Sequence, residues 1–251
     1  MIDNQYFEVF YSSVGHELRE SVRQFDFTEQ NGDFGYQTQA SAVYSSNIEG
    51  NSVDLNSFMN YKLSENKFKP QKELIEIDHL IDAYNFAQNE ILTEKNFLKA
   101  HKILSKTLLI VGLRGKYRND KVGVFGQSGL VYLAIEPEYV AKTMNDFFGE
   151  ISVLLSSNLT LEEIFYFASF IHLRFVHIHP FRDGNGRAAR LLEKWFLTQK
   201  LGIEFWKVPS EKYYKDHRTQ YYEHINLGVN FYMLNYDKCL PFLSMLPQSL
   251  K

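Results

Sequence analysis

The sequence predicts an all-α fold, a helical bundle interrupted by one small β-hairpin. Apolar residues recur at helix spacing through most of the 251 residues. Capping residues stand where those patterns begin. Only one stretch carries short β-prone runs around a glycine-bearing turn.

The head, residues 1–35, is polar, with Gly32 and Gly35 near its end. Residues 36–48 predict a short helix stopping at Gly50. Asn51 to Asn56 reads as a turn, and Ser64 to Lys69 as a linker. Leu74, Ile77, Ile81, Tyr84, Ala87 and Ile91 form one apolar stripe. Thr93 is the expected N-cap of a helix with Phe97, His101, Leu104 and Leu108 on one face. A helix over 138–155 follows, carrying Val140, Met144, Phe147 and Ile151. Thr160 with Glu163 is a capping-box pattern that opens an apolar helix over about 161–177. Another helix runs from near Gly186 to near Gly202. Tyr213, His217, Tyr221 and Ile225 step helically through the tail. The hairpin is read at 121–133, with Val122, Val124 and Phe125 before the turn and Leu130 to Leu133 after it. Three regions follow: 1–65, 66–210 and a C-terminal helical closure, 211–251.

The bulk numbers exclude several classes. A formal charge of -3 argues against a nucleic-acid partner, because gripping a phosphate backbone requires a basic excess. No window is long and apolar enough to span a bilayer. Met1 to Ser12 carry Asp3 and Glu8 and no basic run before an apolar core, so no signal peptide is expected. A single cysteine, Cys239, cannot form an internal disulfide and suits a reducing, cytoplasmic setting.

The chemistry concentrates in His179-Pro180-Phe181-Arg182-Asp183-Gly184-Asn185-Gly186-Arg187-Ala188-Ala189-Arg190. Gly184 and Gly186 let a ligand approach the backbone closely, and a helix beginning beside them aims unpaired N–H groups at the same place. That is an anion nest suited to a diphosphate. Arg187 and Arg190, three apart, can share a face and fork onto phosphate oxygens. Asp183 is a hard carboxylate of the kind that holds Mg²⁺ together with substrate phosphates. His179 can accept a proton near neutral pH. Phe181 should point inward and anchor the loop. Asp-Gly-Asn-Gly by itself is a common turn. His172, His177 and His179 with Asp183 could suggest a hydrolytic metal site, although the offset from His172 to His177 suits one metal face poorly. An EF-hand fails, because Arg187 and Ala188 stand where an oxygen ligand and the sharp-turn glycine belong.

The motif resembles that of the Fic family, His-x-Phe-x-Asp/Glu-Gly-Asn-Gly-Arg-x-x-Arg. His179, Phe181, Asp183, Gly184, Asn185, Gly186, Arg187 and Arg190 meet every fixed position. The resemblance covers about 70–210. It implies a Fic-type helical bundle and transfer of AMP from ATP to a hydroxyl side chain of a protein. It implies that His179 is the base, Asp183 the Mg²⁺ ligand, Gly184, Asn185 and Gly186 the seat of the α- and β-phosphates, and Arg187 and Arg190 the holders of the outer phosphates. The kinase branch of the family alters the nest, which is intact here. UMP transfer, AMP removal and a non-catalytic ATP sensor remain open alternatives.

Ser45-Ser46-Asn47-Ile48-Glu49-Gly50 resembles the family's inhibitory segment, matched by Ser45, Glu49 and Gly50. Its position before the core resembles the class with an N-terminal brake. Glu49 would then pair with Arg190 in the place of the γ-phosphate and misdirect the triphosphate. The plainer reading is a solvated glutamate at a helix end capped by Gly50. The hairpin resembles the flap that members use to dock a target protein, with Val122, Val124 and Phe125 at the docking edge. The resemblance also allows a homodimer. Residues 1–35 and 226–251 acquire no role from the sequence.

Overall fold

A computed structural model describes residues 2, 4–25, 27, 34–64, 71–126 and 129–251. Most of the predicted linker 64–69 and the hairpin tip, Gln127 and Ser128, lie outside the described residues. The helices of seven residues or more are α1 (His16–Gln24), α2 (Phe34–Ile48), α3 (Leu55–Leu63), α4 (Lys72–Gln88), α5 (Glu94–Leu104), α6 (Pro137–Ser156), α7 (Leu161–Ile178), α8 (Asn185–Leu201), α9 (Ser210–Asp216) and α10 (Arg218–Ile225). Strands β1 (Gly123–Gly126) and β2 (Gly129–Leu133) form the hairpin. The all-α expectation holds.

Helix α7 is the centre of the bundle. Phe165, Ile171, Leu173 and Phe175 are fully buried, and so are the polar Ser169 and His172. A helix apolar nearly all round has to be wrapped by others, and α8 lies along it. The predicted capping box opens α7: the Thr160 hydroxyl accepts the Glu163 N–H, and Glu163 accepts the Thr160 N–H. Thr93 caps α5 as expected, accepting the Asn96 N–H at 3.2 Å.

Four readings change. The stripe assigned to α4 ends at Gln88, and Ile91 lies beyond it, 66% exposed. Leu108 likewise falls beyond α5. Helix α3 begins at Leu55, inside the stretch Asn51–Asn56 read as a turn, where no helix was expected. Asp54 caps it, accepting the Ser57 N–H at 3.0 Å. The tail breaks into α9 and α10 at His217, whose backbone leaves helical values. No helix of the described residues is long and apolar enough to cross a membrane.

The hairpin is antiparallel, with Val124 opposite Tyr132 and a bulge between Val124 and Phe125. It begins at Gly123, so Val122 stands just outside it, its carbonyl accepting the Ala134 N–H at 3.1 Å. Two bonds fix the hairpin's base. Tyr132 Oη donates to the His177 carbonyl at 2.6 Å, and the Leu133 N–H donates to the Val229 carbonyl at 3.0 Å. The flap is thereby tied to the end of α7, next to the motif.

Candidate active site

Helix α7 runs into the motif and stops at His179. This residue adopts the left-handed conformation (φ 51°, ψ 57°) and is the non-glycine residue with positive φ among those described. Such a conformation is held only where the surroundings over-determine it. Arg118 supplies that constraint. Its Nε donates to the His179 carbonyl at 2.8 Å, and its backbone N–H donates to the Pro180 carbonyl at 2.9 Å. The rest of its guanidinium donates to the carbonyls of Asp120 and Ile135, which flank the hairpin. One buried arginine thus joins the turn at His179 to both feet of the flap. Nothing in the sequence singled it out.

The His179 Nδ1 lies 3.2 Å from the Val176 carbonyl. A carbonyl can only accept, so Nδ1 carries the proton and Nε2 keeps a free lone pair. Burial and the nearby Arg118 charge lower the affinity of this imidazole for a second proton, against the opposing pull of Glu49 and Asp183. The ring is therefore a neutral acceptor at neutral pH.

The loop after His179 is closed by its own residues. Phe181 is buried as expected and stacks on His101, ring centroids 3.4 Å apart. His101 accepts the Gly115 N–H at Nδ1 and donates from Nε2 to the Asp183 carbonyl at 3.0 Å. Its burial lowers its pKa to about 4, so it stays neutral. The Asn185 side chain is turned onto the Phe181 backbone. Its Oδ1 accepts the Phe181 N–H at 2.9 Å, and its Nδ2 donates to the Phe181 carbonyl at 2.8 Å. Asn185 offers a ligand its backbone N–H, with those of Gly186 and Arg187 at the start of α8, which have no intrahelical partner. Gly184 takes φ 82°, and a Cβ there would press on Leu104 at 3.1 Å. The Asp183 carboxylate is exposed beside this cradle and accepts the Gly184 N–H at 2.6 Å.

Arg187 and Arg190 diverge. Arg187 pairs with Glu76 of α4, a partner the sequence reading did not name. Arg190 is fully buried. Its Nε donates to the Ser45 hydroxyl at 2.8 Å, and its Nη2 donates to the Ser45 carbonyl at 2.9 Å and to Glu49 Oε1 at 2.7 Å. Ser45 and Glu49 of the 45–50 segment thus meet the motif arginine together. Burial works to raise the Glu49 carboxyl, but Arg190 and Arg187 outweigh it and hold it below the usual carboxylate range. Gly50, at φ 98°, turns the chain out of α2, and its N–H returns to the Asn47 carbonyl at 3.0 Å.

The three histidines do not converge. His172 lies between Glu193 and Tyr221 at 2.8 and 2.9 Å, and His177 lies between Tyr236 Oη and the Ile225 carbonyl, both at 2.8 Å. The described residues contain no cluster of three side chains fit to hold a metal, so the hydrolytic metal site drops out. At the flap, Phe125 is 73% exposed and Val124 is partly exposed. In β1 the edge facing away from β2 has no strand partner among the described residues.

The Fic/DOC family pattern matches residues 91–197. A protein adenylyltransferase Fic of Aedes aegypti is 28% identical over 194 residues, 74% of this chain and 36% of that protein. One of Nematostella vectensis is 29% identical over 73% of this chain and 42% of its own length. The chain thus spans well under half the length of the curated relatives it matches. A crystal structure of a Fic family protein from Desulfovibrio desulfuricans G20 superposes with a TM-score of 0.77 at 22% identity, covering 96% of this chain and 71% of that one. Fic-1 (residues 134–508) from C. elegans gives 0.67 at 21% identity, covering 97% and 68%. The Fic/DOC pattern thus spans the motif, and the helical fold is the one shared with these Fic structures.

Proposed function

We propose that the chain is a protein adenylyltransferase, moving AMP from ATP to a Ser, Thr or Tyr hydroxyl, and that Glu49 restrains it. The observation that carries this is the seat of the Glu49 carboxylate. It lies over Gly186 at the N-terminus of α8, paired with Arg190. An anion already rests in the anion cradle, where a phosphate would have to lie.

With Glu49 withdrawn, the α8 N–H groups and Arg190 are left to bind the triphosphate. The His179 Nε2 lone pair takes the proton of the incoming hydroxyl. The hydroxyl oxygen bonds to the α-phosphorus, the bond from that phosphorus to the bridging oxygen breaks, and pyrophosphate leaves. The exposed Asp183 carboxylate fits Mg²⁺, which is commonly held by one carboxylate and the substrate's phosphates rather than by a protein cage. When bound, Mg²⁺ neutralises phosphate charge. The exposed β1 edge supports docking of an extended target segment, with Val124 and Phe125 beside it. The lone, buried Cys239 supports a reducing, cytoplasmic setting. Region 1–65 then carries the brake at 45–50, region 66–210 the catalytic core, and region 211–251 closes it.

The test is labelling with α-³²P-ATP and Mg²⁺. Label should rise with Glu49→Gly and vanish when His179→Ala is added. Label that appears from γ-³²P-ATP instead would overturn the reading in favour of a kinase.

A further inference from the structure

Arg190 is gripped from two sides. The α2 side, Ser45 and Glu49, is the brake itself. The other side comes from α10, outside the segment that matches the family pattern. Arg190 Nη1 donates to Tyr221 Oη at 3.1 Å, and its guanidinium carbon lies 5.8 Å from the Tyr221 ring centre.

The proton directions in this second grip are fixed. Arginine only donates, so the Tyr221 oxygen accepts from it and must send its own proton elsewhere. The neighbour in reach is His172 Nε2, 2.9 Å away. That nitrogen is then the acceptor, and His172 Nδ1 carries a proton to Glu193 Oε2 at 2.8 Å. Tyr214 Oη donates to the same carboxylate at 2.8 Å. Every member of this chain is buried. Polar groups so deep are tolerated only when fully paired, and then they hold one geometry.

We propose that Tyr221, oriented by His172 and Glu193, is a positioning residue that keeps Arg190 aimed at the terminal phosphate after Glu49 has left. The inference rests on the ATP reading above. Without the second grip, loss of Glu49 would leave Arg190 held by Ser45 alone, from one side, beside a cradle that needs it fixed. With it, the brake departs and the phosphate-binding fork stays in place.

The test compares ATP and ADP binding by calorimetry in three variants: Glu49→Gly, Glu49→Gly with Tyr221→Phe, and Glu49→Gly with His172→Gln. Thermal unfolding is followed in parallel. Tyr221→Phe should weaken ATP about tenfold, the size of one lost hydrogen bond to a charged group, and leave ADP unchanged. His172→Gln, which keeps the tyrosine, should weaken ATP selectively as well, and it decides the matter if the phenylalanine variant does not fold. Equal losses for ATP and ADP, or no loss, overturn the positioning role alone. A Glu49→Gly protein that binds neither nucleotide overturns the ATP reading, and the proposal with it.

Discussion

The Glu49 carboxylate covers Gly186 so closely that a Cβ on that glycine would overlap Oε1 and lie 3.0 Å from the carboxyl carbon. The seat of Glu49 therefore depends on the missing side chain of Gly186 as much as on the charge of Arg190. Gly186→Ala should evict Glu49 and yet fail to activate the protein, because the new methyl fills the anion seat. In a Glu49→Gly background it should cut α-³²P labelling about a hundredfold, as misplacement by an ångström does. Labelling equal to that of Glu49→Gly alone would show that the seat is not used.

The Glu49–Arg190 pair is also a stability element with a defined pH window. The folded carboxyl sits below its ordinary value. A depressed acid stabilises the fold above the unfolded pKa of about 4.3 and loses that contribution as pH falls through the folded value. Glu49→Gln should therefore be less stable than wild type at pH 7 by about 1 kcal/mol, read from thermal unfolding, since a quarter of the carboxylate side chain is exposed. The gap between the two proteins should close as the solution is acidified below pH 4. A gap that widens on acidification contradicts the assignment.

Arg118 holds three carbonyls at once, those of His179, Asp120 and Ile135. A lysine keeps the charge but cannot span that geometry. Arg118→Lys in the Glu49→Gly background should lower the labelling rate at least about tenfold, the weight of a misplaced general base, while the Kd for ATP holds. Parallel loss of rate and ATP binding would mean that Arg118 serves the whole cradle rather than His179.

Phe125 is mostly exposed on β1 and supports no core. Phe125→Ser should change stability by less than about 0.5 kcal/mol, as surface substitutions do, and leave ATP binding intact. Labelling of a protein target should fall several-fold. An unchanged rate on such a target would remove the flap from target docking.

Much of this molecule was legible in local sequence. The capping box at Thr160 and Glu163, the buried Val140, Met144, Phe147 and Ile151 of α6, and the glycine turn into α8 are patterns within a few residues of one another. Helix periodicity and turn chemistry act over that range. Helix α3 escaped because its cap, Asp54, lies inside a run that reads as a turn. Ile91 was over-read because its spacing continues a period that the backbone abandons at Gln88.

The sequence by itself determined the helical class, the hairpin and the residues of the cradle, since those depend on neighbours in the chain. The tertiary structure decided who faces whom. Arg187 turns to Glu76 across 111 positions, and Arg118 reaches His179 across 61. Asn185 is engaged on Phe181, and His172 is locked between Tyr221 and Glu193. Such pairings follow from how whole helices pack, because each buried polar group must find a partner among whatever the packing brings near. No local period encodes that choice.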